Sequence, residues 1–203
     1  MVEEIAVQER FSPLFGKLGG MVGAARDAFN RHSGMSLEHL RKLHEELASE
    51  IGSAVEDFGA LASKGLEGQR ASLIRQQSVM TRLLVLGDNL EGLSVPIARK
   101  IREGVLFSNK AVAQANQLFD HQAGLLRSIL DVLKTDNDFL KRYVLEEGQK
   151  LVQSCNEFAT EHEARLIEGL CLPQAAPLFL AMLNRLRAAG QHAVNIARIL
   201  GQI

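Results

Sequence analysis

Few residues in this 203-residue chain could carry chemistry. Each of the six histidines (His32, His39, His44, His121, His162 and His192) has a non-acidic residue three places before it. A carboxylate-bridged di-iron bundle needs Glu-x-x-His on two helices, since residues three apart share a helix face. That pattern is absent. His39 and His44 stand five apart, off a common face. Asp120-His121 and Glu161-His162-Glu163 are helical neighbours pointing about 100° apart, so both read as solvated polar faces. Cys155 and Cys171 are too distant for a Cys-x-x-Cys pair and too few for a thiolate metal site. They are expected as buried thiols in a reducing compartment. There is no Gly-x-x-x-x-Gly-Lys loop and no Gly-x-Ser-x-Gly elbow. No enzyme is expected.

Composition narrows the partners. Net charge is −1 with acids and bases interspersed, so no polyanion-binding surface and no nucleic acid are expected. The basic cluster Arg99, Lys100 and Arg102 falls near a predicted helix C-terminus, where it would meet the helix dipole. Trp is absent and there is one Tyr, so the core must be mostly aliphatic. The N-terminus begins acidic and carries no secretory h-region. The apolar run at 177–183 is far short of the ~20 residues that cross a bilayer. The expected setting is the cytoplasm.

Helical periodicity must position whatever the chain does. Leu37, Leu40, Leu43, Leu47, Ile51, Val55, Phe58 and Leu61 recur at threes and fours. Ser36 is the expected N-cap of that helix and Gly65 its stop. The preceding helix should run from Ser12 or Pro13, with Pro13 in its first turn, to Arg31. A third helix runs from about Gly68 to Ile101, and Pro96 should kink it one turn upstream or break it. Three more follow: Ser108 to Lys134, Asp138 to Glu168, and one opened by Pro173. The turn Thr135-Asp136-Asn137 separates the first two, and Gly169 ends the second. Phe139, Tyr143 and Ile167 are expected on the inner face of the fifth helix, and Leu178, Phe179, Met182, Leu183, Leu186, Ala193, Ile196 and Leu200 on that of the sixth. No strand pattern occurs. The reading is all-α: two tandem antiparallel three-helix bundles, residues 1–106 and 107–203, with rods about 40 Å long at 1.5 Å per residue.

The third helices repeat each other. At an offset of 99 residues (194 minus 95), Val95, Ile97, Ala98 and Arg99 fall on Val194, Ile196, Ala197 and Arg198, and Leu84 on Leu183. An offset near half the chain reads as an internal duplication. Small residues, Gly87 and Ala188-Ala189-Gly190, should let neighbouring helices approach these rods closely.

The phrase GQHAVNIA, Gly190 to Ala197, resembles the third-helix signature of the PhoU family of phosphate-transport accessory and regulatory proteins. The usual form is Leu-Glu-Arg-Ile-Gly-Asp-His-Ala-Val-Asn-Ile-Ala, matched here at Leu186, Gly190, His192, Ala193, Val194, Asn195, Ile196 and Ala197. Weaker echoes lie in Asp88 to Arg99. The resemblance implies the same tandem bundles. Its Glu-x-x-x-Asp pair would hold hard cations through oxygen. In the second copy Arg187 replaces that Glu and Gln191 that Asp. In the first, Asp88 fills the Glu position but Gly92 the Asp position; a three-residue shift offers Glu91 followed by Val95. Neither copy keeps the pair. Asp88 and Glu91 are the candidate metal residues, and Arg187, Gln191, His192 and Asn195 the candidate partner or ligand patch. His192 and Asn195, three apart, are read first as a hydrogen-bonding pair between helices.

What the resemblance implies is a non-enzymatic regulator of phosphate transport or signalling, docking on a phosphate transporter or sensor kinase at the inner membrane face, with a homodimer expected. The alternative is a metal-binding helical protein with a multinuclear or single site on the third helices. No cofactor is expected under the first reading, and a weakly bound divalent or ferric ion under the second. Similar bundles form cytosolic tails of sodium/phosphate cotransporters. Lacking a spanning segment, the chain reads as a free-standing version or an excised tail.

Overall fold

The computed structural model describes residues 2–64 and 67–201, with side chains described over 10–61 and 70–201. Seven helical segments follow one another: α1 (Val2–Arg31), α2 (Gly34–Lys64), α3 (Glu67–Glu91), α4 (Ser94–Arg102), α5 (Asn109–Thr135), α6 (Asp138–Ile167) and α7 (Ala176–Gly201). Among the described residues there is no strand. Helices α3 and α4 are two parts of one rod. That rod packs with α1 and α2 as the first bundle, and α5, α6 and α7 form the second. The bundles lie side by side, α1 against α5 and α3 against α7.

The helix stripes meet in one apolar core that runs through both bundles. Leu40, Leu47, Ile51 and Phe58 of α2 are fully buried, as are Phe179, Leu186 and Ile196 of α7. Burying a side chain of this size stabilises by roughly 1.5–3 kcal/mol. The connection between the bundles is packed rather than loose. Phe107 sits 5.5 Å from Phe29 of α1 and 5.8 Å from Phe179 of α7, ring centre to ring centre. A polar clasp joins the bundles at their outer edge. Arg26 donates from Nη1 and Nη2 to the two carboxylate oxygens of Asp120, at 2.7 and 3.3 Å, and from Nε to Asn116 at 3.0 Å.

Several expectations are corrected. Helix α1 begins at Val2, so Pro13 lies inside it and not in its first turn. Pro13 faces solvent, while Phe11, Leu14 and Phe15 on either side are buried; their packing offsets the backbone bond a mid-helix proline removes. The N-cap of α2 is Ser33, whose Oγ accepts from the Ser36 amide at 3.1 Å. Gly65 lies outside the described residues. Pro96 sits in the first turn of α4, and the rod is interrupted at Gly92–Leu93, one turn upstream. Asn137 caps α6, accepting from the amides of Phe139 and Leu140, and Gly169, at φ +72, follows its end. Phe139, Tyr143 and Ile167 are exposed instead of core-facing. Helix α7 starts at Ala176, three residues beyond Pro173.

Small residues set the helix spacings. A Cβ on Gly190 would collide with Leu151 Cδ2, and one on Gly148 would stand 2.6 Å from Val194 Cγ2, so α6 and α7 touch almost backbone to backbone. A Cβ on Gly87 would stand 2.6 Å from Leu47 Cδ2 of α2.

Candidate functional site

The periodicity of α7 turns Leu183, Leu186, Ala193 and Ile196 inward and leaves a polar strip outside. Arg187 and Gln191, one turn apart, are exposed on it, and Asn195, a further turn along, is half-buried. Arg187 leans toward α6, donating to Asn156 Oδ1 and to Asn184 Oδ1, each at 3.1 Å. His192 lies on the opposite border, half-buried toward α3. Burial holds its imidazole below the ordinary value, with Arg82 adding to the effect and Asp88 opposing it. Its Nδ1 is buried and has no hydrogen-bond partner, so the pairing expected with Asn195 is not made through that atom. The four patch residues therefore divide: Arg187 belongs to the α6 side of α7 and His192 to the α3 side.

Asp88 and Glu91 stand three apart on α3, facing α2. Arg41 and His44 stand three apart on α2 and answer them. His44 Nε2 is 2.7 Å from Asp88 Oδ1, and Arg41 Nε is 4.0 Å from Glu91 Oε1. Glu91 Oε1 also accepts from Ser94 Oγ at 2.8 Å, across the interruption between α3 and α4. On the α7 side, Arg185 lies over Gly92: a Cβ there would come within 2.7 Å of its Nε. Both carboxylates thus face basic side chains. Among the described residues no three His, Cys, Asp or Glu side chains gather as a metal set would require.

Two polar sites were not legible from spacing. Lys100 stands in the last turn of α4, as expected, but its ammonium is buried against the end of α1. It is 4% exposed and donates to the Phe29 carbonyl at 2.8 Å, on the last turn of α1. It also contacts His32 Nε2 and lies 4.9 Å from the Phe29 ring centre. Arg99 instead pairs with Glu103. His162, expected on a solvated face, is 1% exposed and lies against Phe179, ring centres 4.8 Å apart and planes tilted by 44°. Asp120 pairs with Arg26 and His121 with Glu147, at 2.7 and 3.0 Å. A basic residue in a predicted last turn, and a histidine between two glutamates, both look solvated in one dimension.

The whole chain superposes on known structures. PhoU from Pseudomonas aeruginosa matches with a TM-score of 0.86, covering 98% of this chain and 95% of that one at 15% identity. The phosphate transport system regulatory protein PhoU from Streptococcus pneumoniae matches with a TM-score of 0.85, covering 98% and 93% at 14% identity. The fold is that of PhoU. No family model and no curated protein matches the sequence. The PhoU likeness is therefore one of architecture, shared at 14–15% identity. The polar strip of α7 and the Asp88–Glu91 ladder both lie on the third rods of this PhoU fold. Among the described residues no helix is long and apolar enough to cross a membrane.

Proposed function

We propose that the chain is a non-enzymatic regulator of phosphate transport or phosphate signalling, acting by docking a helix face on a phosphate transporter or a sensor kinase. The carrying observation is the end-to-end match of its fold to PhoU structures, one of them named a phosphate transport system regulatory protein. Fold alone does not give function, so the reading needs a surface. The exposed strip of α7 supplies one: Arg187 and Gln191 are solvent-facing on a helix whose opposite side is locked into the core. Asn195 extends that strip and His192 borders it.

On this reading the protein works at the inner membrane face as a homodimer. Its halves, 1–106 and 107–203, descend from one duplicated bundle. Ile97 and Ile196 occupy matching buried positions, and Arg99 and Arg198 matching exposed ones, while Val95 is exposed where Val194 is buried. Sedimentation at micromolar concentration tests the dimer; a monomer contradicts it. The docking test is capture of the solubilised phosphate transporter or phosphate sensor kinase by the full chain. Capture lost in Arg187→Glu/Gln191→Glu supports the strip, and capture of neither membrane protein contradicts the reading.

The second reading is a cation held by Asp88 and Glu91. The acidic pair on one rod favours it; Arg41, His44 and Arg185 around that pair oppose it. Elemental analysis of chelator-free protein separates the two, since stoichiometric iron, manganese or zinc lost on Asp88→Asn/Glu91→Gln supports the cation.

A further inference from the structure

Charge is not evenly spread over this chain, although its net value is −1. Between Gly68 and Gly87 the sequence carries Arg70, Arg75 and Arg82 and no Asp or Glu. After Glu168 it carries Arg185, Arg187 and Arg198 and again no Asp or Glu. The first stretch lies in α3 and the second contains α7, and the fold packs these two helices against each other. Two acid-free segments about a hundred residues apart in sequence thus become one surface.

Arg82, Arg185, Arg187 and Arg198 are all exposed. Arg187 and Arg198 share the outward strip of α7 with Gln191, since eleven residues make close to three turns. Between the rods lies an open furrow of about 520 Å³, lined by Ser78, Thr81 and Arg82 of α3 and by Ile199 of α7. The carboxylates that border this surface are already answered by bases. Asp88 is 2.7 Å from His44 and Glu91 faces Arg41, both on α2, and Asp138 of α6 is 2.9 Å from Lys141. Arg187 donates to the neutral Asn156 and Asn184 and so keeps its full charge. The field of these arginines is felt by their neighbours. Arg82 outweighs Asp88 at His192. Burial pushes the Cys155 thiol up to about 12, and Arg187 opposes it. Cys155 is buried as expected, whereas Cys171 is only half-buried.

We propose that the α3–α7 face binds an acidic segment of a partner protein, a helix carrying Asp or Glu side chains laid along the furrow. The inference rests on the docking reading of α7 and adds the chemistry of the partner. Two packed rods leave a furrow that a third helix can enter, and complementary charge fixes its register. One small anion does not fit the pattern, because Arg187 and Arg198 stand about 16 Å apart along the axis at 1.5 Å per residue. A lipid surface fits poorly, since among the described residues α7 exposes no large apolar side chain to enter the acyl boundary. Nucleic acid fits poorly too. Single strands stack on aromatic side chains, but α3 has none and Phe179 of α7 is buried.

The test is fluorescence anisotropy of the full chain with a labelled helical peptide of Glu and Ala, about 20 residues long so as to span the strip at 1.5 Å per residue. The matching Lys and Ala peptide, duplex DNA and vesicles of phosphatidylserine with phosphatidylcholine are the comparison probes. The Glu peptide should bind and the Lys peptide should not. Its affinity should fall by about tenfold or more as salt rises from about 0.1 to about 1 M, which shortens the screening length from about 10 to about 3 Å. Arg82→Glu/Arg198→Glu, which leaves Arg187 and Gln191 in place, should weaken binding by about tenfold, and the milder Arg82→Gln/Arg198→Gln by about threefold. The same change of charge on α5, Lys110→Glu/Arg127→Glu, should weaken it by less than about twofold. Absent binding of the Glu peptide, equal loss in the α5 variant, or tighter binding of DNA or vesicles would overturn the proposal. Capture of the transporter or kinase that survives both high salt and Arg82→Glu/Arg198→Glu would overturn it while leaving the docking reading intact.

Discussion

His44 Nε2 lies 2.7 Å from Asp88 Oδ1, which fastens the carboxylate nearest to a cation-site position onto the neighbouring helix α2. Glu91 faces Arg41 of the same helix. Two acids three apart on α3 and two bases three apart on α2 make a ladder, and ladders of this kind at a surface contribute little. Asp88→Asn should therefore shift unfolding free energy by less than about 1 kcal/mol, measured by urea denaturation, and leave the metal content of purified protein unchanged. A fall in bound metal would move the account to the cation reading.

Glycine is required where helices touch and dispensable where they do not. Gly190→Ala should destabilise by about 1–2 kcal/mol, because overpacking against buried Leu151 exceeds the gain in helix propensity. Gly52→Ala meets nothing within 4 Å on the exposed side of α2 and should stabilise by up to about 1 kcal/mol. Paired thermal melts check the opposite signs.

Gln122 is fully buried in α5, and neither its amide nitrogen nor its oxygen has a partner. An orphaned buried polar group costs about 1–3 kcal/mol. Gln122→Met, close in shape, should raise the melting temperature by about 2–4 °C for a chain of this size. A drop of similar size would show that the amide has a bonding role.

Acid should weaken the fold through the buried imidazoles. Burial, then Arg165, holds His162 below its ordinary value, with Glu163 opposing. The unfolded chain then binds a proton that the folded chain refuses. Stability is full above the unfolded imidazole value of about 6.5 and falls as pH drops below it, until the folded value is reached. His192 is depressed in the same direction. Denaturant midpoints between pH 8 and pH 5 should fall, and His162→Gln should fall less steeply than the wild type.

The rods were legible in the sequence because a 3.6-residue apolar period survives without reference to neighbours: Leu40, Leu47 and Ile51 were expected inside and are. Pro13 misled because its own position suggested a start, while the force holding it in mid-helix comes from Phe11, Leu14 and Phe15 packing on other helices. Lys100 and His162 misled for the same reason. The acceptor of Lys100 is a carbonyl 71 residues away, and the support of His162 comes from Gln114, Arg165 and Phe179. Of the candidate site, the α7 residues were named through the motif resemblance, and their division between the α6 and α3 sides depends on Asn156 and Arg82, which only the tertiary fold brings near.

The central claim is regulation of phosphate handling through docking, and the most direct measurement is phosphate uptake together with phosphate-regulated reporter expression in a strain lacking the gene. The account predicts that deletion changes the reporter's response to phosphate, that the wild-type chain restores it, and that Arg187→Glu/Gln191→Glu does not. Unchanged uptake and unchanged expression after deletion would contradict it.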